Sequence, residues 1–256
     1  MMDEPITVDS HGTGEVDVHQ LTASEYDRLT HRDPVAVETL DETGKDIIAP
    51  EVLTLGVARA RPPINDYPFR AIACVEVALQ PGQFPRRGTA FFVSKNVLVT
   101  SAHNIPPNFT SIAVYVKLDG IVTAPFVTTR HAIAPTFAGD SRSDYAAIFL
   151  AQDVGSGTGF FVVPPSPSLV ANGSIVHMSG YPIPGLRQMH GSGAVTDINA
   201  STLTYDVDTE DGDSGSPVYI DAFDPILVGI HRADNGRAVP VTSAVASQIR
   251  TWIAMA

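Results

Sequence analysis

The sequence predicts an all-β fold, and three observations predict it. Short apolar, strand-like segments recur from residue 69 onward. Gly, Pro, Asn and Asp separate them, and no helical periodicity intervenes before the C-terminus. Such a pattern indicates sandwich or barrel architecture and not βαβ units.

The elements follow in order. Residues 1–51 are polar and acidic with one weak helical hint at 21–29, and a turn-rich junction at 60–66 leads into the strands. A first strand system comprises 69–79, 88–94, 96–101, 111–117, 121–127 and 145–150. The proline-rich stretch 163–167 reads as a linker. Strands then resume at 174–179, 194–198, 203–207, 216–220 and 226–231, which makes a second system. Only the end differs. There Val245, Ile249, Trp252 and Ile253 fall on one helical face, with Ser243 placed to cap the segment.

Composition narrows the function. A chain of 256 residues that is 44% apolar can fill a sizeable core, which excludes disorder for most of its length. No run approaches the roughly 18 apolar residues a membrane span needs. The single cysteine, Cys74, excludes an intramolecular disulfide framework and any multi-cysteine metal site, and its strand context predicts an inert buried thiol. The net charge of -12 is local to the N-terminus: residues 1–51 hold 13 acidic and three basic residues, the rest 15 and 13. A nearly balanced main domain excludes nucleic acid as a partner. The first residues carry neither a basic n-region nor an apolar h-region, so the chain is either not exported or begins after a removed signal.

Three motifs carry chemistry: Leu98-Val99-Thr100-Ser101-Ala102-His103, Ser143-Asp144-Tyr145-Ala146, and Asp211-Gly212-Asp213-Ser214-Gly215-Ser216-Pro217. Hydrolysis of a peptide bond by a serine needs a base, a carboxylate to fix the base's tautomer, and N–H donors for the oxyanion. His103 is the candidate base and acid, Asp144 its orienting partner, and Ser214 the nucleophile. Gly212 allows the turn that aims its own N–H and that of Ser214 at the oxyanion. The remaining histidines, His11, His19, His31, His131, His177 and His190, lack metal-ligand spacing, so neither metal nor cofactor is expected.

With these motifs in this order, residues 68–256 resemble the chymotrypsin-like serine endopeptidases. Further motifs are similar to the glutamyl endopeptidase (V8 protease) branch: Gly180-Tyr181-Pro182, Tyr205-Asp206, Ser214-Gly215-Ser216-Pro217-Val218 and Val228-Gly229-Ile230-His231. The resemblance implies two six-stranded antiparallel β-barrels with the active site between them and a C-terminal α-helix. It divides the chain into an acidic segment (1–51, a candidate propeptide), an N-terminal barrel (52–158) bearing His103 and Asp144, and a C-terminal barrel (159–256) bearing Ser214. It also maps the pocket for a P1 glutamate onto Thr209 and His231, where a partly protonated imidazole and a hydroxyl would grip the carboxylate.

Alternatives stay open at this level. Asp208 stands at the offset where trypsin-like enzymes bind P1 Arg or Lys. Glu210, Asp211 and Asp213 would repel an acidic P1 unless they point away or are neutralised by His231, Arg232 or Arg237. An inactive protease-fold binding or regulatory module is the rival from another class. In the resembling families a newly released amino group pairs with the aspartate before the nucleophile or helps bind P1. Residues 1–51 would then be removed, at Glu51-Val52 or at Arg59 or Arg61. A monomer acting on protein or peptide substrates, without membrane association, is expected. The branch points to an extracellular location, and the missing signal leaves the cytoplasm open. Three glycosylation sequons begin at Asn108, Asn172 and Asn199.

Overall fold

The structure is a computed structural model that describes residues 59–256 apart from 121–123, 139, 166–169, 184, 234 and 235. The acidic segment, its helical hint and the Glu51-Val52 junction lie outside the described residues. The first strands are β1 (Ile72–Ala78), β2 (Arg86–Phe92), β3 (Val97–Thr100), β4 (Ser111–Val116), β5 (Phe126–Thr128), β6 (His131–Ile133) and β7 (Ala146–Phe149). They form one antiparallel sheet in the order β5-β4-β1-β2-β3-β7-β6. Its edge strands β5 and β6 are consecutive in the chain, so the sheet curls back on itself as a half-barrel. The Phe149 N–H donates to the Arg130 carbonyl (3.0 Å) and the Thr128 hydroxyl to the Phe149 carbonyl (2.9 Å), tying the curled end together.

This sheet is apolar on both faces, which explains why its strands read as nearly continuous apolar runs. One set of alternating residues, Ala73, Val75, Ala90, Phe92, Leu98, Ile112 and Ile148, fills the inside of the curl. The other set, Ile72, Cys74, Phe91, Val97, Val99, Ala147 and Phe149, faces outward into a second core shared with the C-terminal half. Cys74 is buried there, and burial pushes its thiol up to about 12, as an inert side chain requires.

After a short helix α1 (Gly155–Thr158) come β8 (Ile175–Gly180), β9 (Met189–Ile198), β10 (Leu203–Tyr205), β11 (Pro217–Ile220), β12 (Ile226–Ala233) and β13 (Arg237–Pro240). These six close a barrel in the order β10-β13-β12-β11-β8-β9 around Val176, Met178, Val195, Leu203, Tyr205 and Val218. The terminal helix α2 (Ser243–Ala254) buries Val245, Ile249 and Trp252 in the shared core. Its cap is Thr242, one residue before the expected Ser243, and its hydroxyl accepts from the Val245 N–H at 3.3 Å. The Arg250 guanidinium donates to the Pro164 carbonyl (2.9 Å), fastening the proline-rich linker to the helix. No helix among the described residues is long and apolar enough to cross a membrane.

Candidate active site

His103 sits in the one-turn 3-10 segment Ala102–Asn104, which begins where β3 ends. Asp144 follows a second such turn, Ser141–Ser143, whose entry is capped by the Asp140 carboxylate accepting the Arg142 N–H at 2.9 Å. Because β3 pairs with β7, the two turns meet at the same end of the sheet. The Asp144 carboxylate grips the histidine twice. Its Oδ1 accepts the His103 backbone N–H at 2.9 Å, and its Oδ2 lies 2.6 Å from Nδ1 of the ring. With the buried carboxylate at Nδ1, the ring proton is held there and Nε2 is left with its lone pair, the tautomer a general base needs.

Ser214 is half-buried on the loop entering β11, and this loop is pinned from several directions. The Ser214 carbonyl accepts the Thr89 N–H (2.8 Å) and the side-chain amide of Asn104 (2.9 Å). Asn104 lies against Gly88, where an added Cβ would stand 2.4 Å from its amide nitrogen, so only glycine admits the side chain. The Thr89 hydroxyl donates to the Gly212 carbonyl at 2.9 Å and accepts the Tyr181 N–H at 2.9 Å. Gly212 has φ of 97°, and a Cβ there would press on the Tyr181 carbonyl at 2.5 Å. Among the described residues the N–H groups of Gly212 and Ser214 donate to no protein acceptor.

The specificity candidates lie beside this loop. His231 on β12 is buried, its Nδ1 2.7 Å from the Tyr205 hydroxyl, and its carbonyl accepts the Ser101 hydroxyl (2.8 Å) and the Gly215 N–H (2.8 Å). Burial, with smaller contributions from Arg59, His103 and Arg232, pushes the ring down to about 3. The imidazole is therefore neutral near pH 7, where the sequence suggested partial protonation. The Thr209 hydroxyl is buried and unpartnered, while Asp208, Glu210 and Asp211 are exposed. The Ser216 hydroxyl, also buried without a partner, lies over Gly180, where a Cβ would meet both that hydroxyl and the Asp213 carboxylate.

Asp213 shows what the sequence missed. Its counter-ion is none of His231, Arg232 or Arg237 but Arg59, which the sequence offered only as a processing point. The Arg59 guanidinium meets both carboxylate oxygens, Nη2 to Oδ1 at 2.9 Å, and also donates to the Met189 carbonyl at 3.0 Å. Burial raises the Asp213 carboxyl, and the guanidinium pulls against that shift. A separation of 154 residues left no signal of this pair in the sequence. Asn104 and Thr89 were likewise invisible, since their roles are fixed by contacts to the Ser214 loop. No group of three or more metal-ligating side chains occurs among the described residues.

A curated relative, "Glutamyl endopeptidase" from Bacillus licheniformis, is 29% identical over 164 residues, which cover 60% of this chain and 49% of the relative. The chain thus spans about half the length of that relative. Among solved structures, a Glu endopeptidase in complex with MPD superposes with a TM-score of 0.64 at 23% identity, covering 77% of this chain and 96% of the other. The protease Anisep from Arthrobacter nicotinovorans superposes with a TM-score of 0.61 at 16% identity, covering 72% and 96%. These two superpositions establish the chymotrypsin-like fold. The family model for the trypsin-like peptidase domain matches residues 88–230, more than half the chain and a span that includes His103, Asp144 and Ser214. The chain belongs to the trypsin-like peptidase family.

Proposed function

We propose that this member of the trypsin-like peptidases is a serine endopeptidase that cleaves after glutamate, with Ser214, His103 and Asp144 as its triad. The double grip of Asp144 on His103 carries the reading, because it supplies an oriented base beside a pinned serine loop. Nε2 of His103 takes the Ser214 proton as Oγ attacks the scissile carbonyl. The N–H groups of Gly212 and Ser214 bind the resulting oxyanion. His103 then gives the proton to the leaving amine, and an ester to Ser214 remains. Water, deprotonated by the same imidazole, hydrolyses the ester and restores the serine.

The P1 preference is supported by what lies beside the loop. An unpartnered buried hydroxyl on Thr209 is a donor awaiting an acceptor, while the exposed Asp208 offers no buried anion for a basic P1. Tyr205 and His231 complete the account. In this reading the Tyr205 hydroxyl, whose burial keeps it protonated, is the donor in its 2.7 Å contact with Nδ1 of His231, which leaves the ring proton on Nε2 as a neutral donor to a P1 carboxylate. The similarity to a glutamyl endopeptidase favours the same choice. Protein and peptide substrates and an extracellular setting belong to the same reading.

Labelling with a fluorophosphonate tests the chemistry. The wild-type chain is expected to label at Ser214 and Ser214→Ala to remain unlabelled. Equal labelling of both would reject the triad by placing the reactive group elsewhere, and no labelling of the wild type in any form would reject it in favour of an inactive binding module.

A further inference from the structure

We propose that Arg59 is the positioning residue of the nucleophile loop: its side chain supplies the cation for Asp213, so the uncut chain assembles its oxyanion hole without a newly released amino group. The inference rests on the serine endopeptidase reading of Ser214 and specifies how that site is switched on. Asp213 immediately precedes the nucleophile, is fully buried, and holds the loop from inside: its Oδ2 accepts the Glu210 N–H at 2.9 Å, and its carbonyl accepts the Ser216 N–H at 2.9 Å. A buried carboxylate in this position requires a buried cation, because an unpaired charge in low dielectric would be expelled or protonated. Here the cation is already present as a side chain.

Arg59 is built into place. Its side chain is 5% exposed and that of Asp213 is 0% exposed, and the two make a bidentate pair. The next residue is stitched to β9 in both directions: the Ala60 N–H donates to the His190 carbonyl, and the His190 N–H to the Ala60 carbonyl, each at 2.8 Å. The third guanidinium contact, to the Met189 carbonyl, fixes the plane of the fork. The pair therefore survives any cut upstream of Arg59, including one at Glu51-Val52. It is destroyed by a cut after Arg59 or Arg61, which would release Arg59 from the domain. The titratable groups that face the pair are Glu210 on the loop, His190 on β9, Tyr205 on β10 and His231 on β12.

The test separates a guanidinium from an amino group by chain integrity and by alkaline pH. The 256-residue chain is treated with a fluorophosphonate, and the intact mass of the labelled species is read. The expected result is label on the uncut chain, at a rate within about twofold between pH 8 and pH 10, because arginine keeps its charge over that range. An α-amino group loses its charge near pH 8, so an alkaline fall in wild-type labelling overturns the proposal. So does label confined to chains that have lost N-terminal residues.

Variants add a second axis. Arg59→Lys is expected to label near pH 7 but to lose reactivity above pH 10, where an ammonium deprotonates and the guanidinium of the wild type does not. Arg59→Met is expected to react on the order of 100-fold more slowly, through loss of the buried cation. A folded Arg59→Met protein that labels as fast as wild type overturns the proposal; if that variant fails to fold, the wild-type and lysine profiles decide. Absence of label from every form, trimmed or whole, removes the endopeptidase reading and this proposal with it. Label on trimmed forms alone removes only the proposal.

Discussion

The side-chain amide of Asn104 donates a 2.9 Å hydrogen bond to the carbonyl of Ser214, so the residue after His103 holds the peptide of Ser214. The same amide reaches the Thr100 hydroxyl at 3.0 Å, which ties the contact to the end of β3. His103 and Ser214 come from different halves of the fold, and this bond ties the two directly. Replacing Asn104 by Ala leaves a buried carbonyl short of a donor, a loss of about 1–3 kcal/mol. We expect kcat to fall by about 10-fold or more with KM little changed, because the positioning and not the pocket is lost. Steady-state kinetics on a fluorogenic glutamyl peptide checks it; a raised KM at constant kcat would contradict it.

Asp144→Asn keeps the shape of the turn but lets the amide present an N–H to the ring, favouring the wrong tautomer of His103. In a triad of this kind the expected fall in kcat is about 10⁴-fold. Turnover at saturating substrate measures it, and a fall below about 10-fold would mean that Asp144 only packs against the histidine.

Thr209→Val removes an unpartnered hydroxyl at nearly constant volume. On a glutamyl substrate kcat/KM should drop by about 10-fold or more, while an alanyl substrate should be unaffected, since only the charged side chain needs the donor. The ratio of the two specificity constants is the readout. Equal effects on both substrates would place Thr209 outside the pocket.

His231 makes stability depend on pH in a defined window. Its folded-state value is pushed down to about 3, whereas in the unfolded chain it titrates near its ordinary value of 6.5. Below that ordinary value the unfolded state binds a proton the folded state refuses, so stability falls as pH drops toward 3. The slope is roughly 1.4 kcal/mol per pH unit once the unfolded ring is protonated. His190, pushed down to about 4 mainly by burial, acts in the same direction. Urea midpoints at pH 7 and pH 4.5 should show the loss, reduced in His231→Gln.

Trp252 lies in the shared core against Tyr145, the residue after Asp144, their rings 5.6 Å apart, and among the described residues it makes no hydrogen bond to His103, Asp144 or Ser214. Trp252→Ala should cost about 3–5 kcal/mol of stability through the cavity it leaves. Urea denaturation measures that cost, with kcat expected to remain near wild type at 15 °C.

Much of this was legible in sequence because the barrel strands are apolar and the three motifs are contiguous. His103, Asp144 and Ser214 each sit within a local signature. The strands that escaped are β6, which opens on His131 and has no fully buried residue, and β13, which starts at the exposed Arg237 and ends in Pro240, so neither shows an apolar run. β9 begins at Met189, five residues before the expected 194, because Gly191, Ser192 and Gly193 interrupt the apolar pattern. The pairings of Arg59 with Asp213 and Asn104 with Ser214 are long-range and polar, and neither periodicity nor motif spacing encodes which charges meet. The helix cap shifted by one residue, from Ser243 to Thr242, since both hydroxyls are chemically able and the backbone decides.

The most direct test of the central claim is a cleavage-site profile, in which a denatured protein mixture is incubated with the enzyme and the new termini are read by mass spectrometry. Cuts following glutamate that vanish with Ser214→Ala are the predicted result. Cuts following arginine or lysine would move the specificity to Asp208, and cuts that persist in the Ser214→Ala protein would contradict the account.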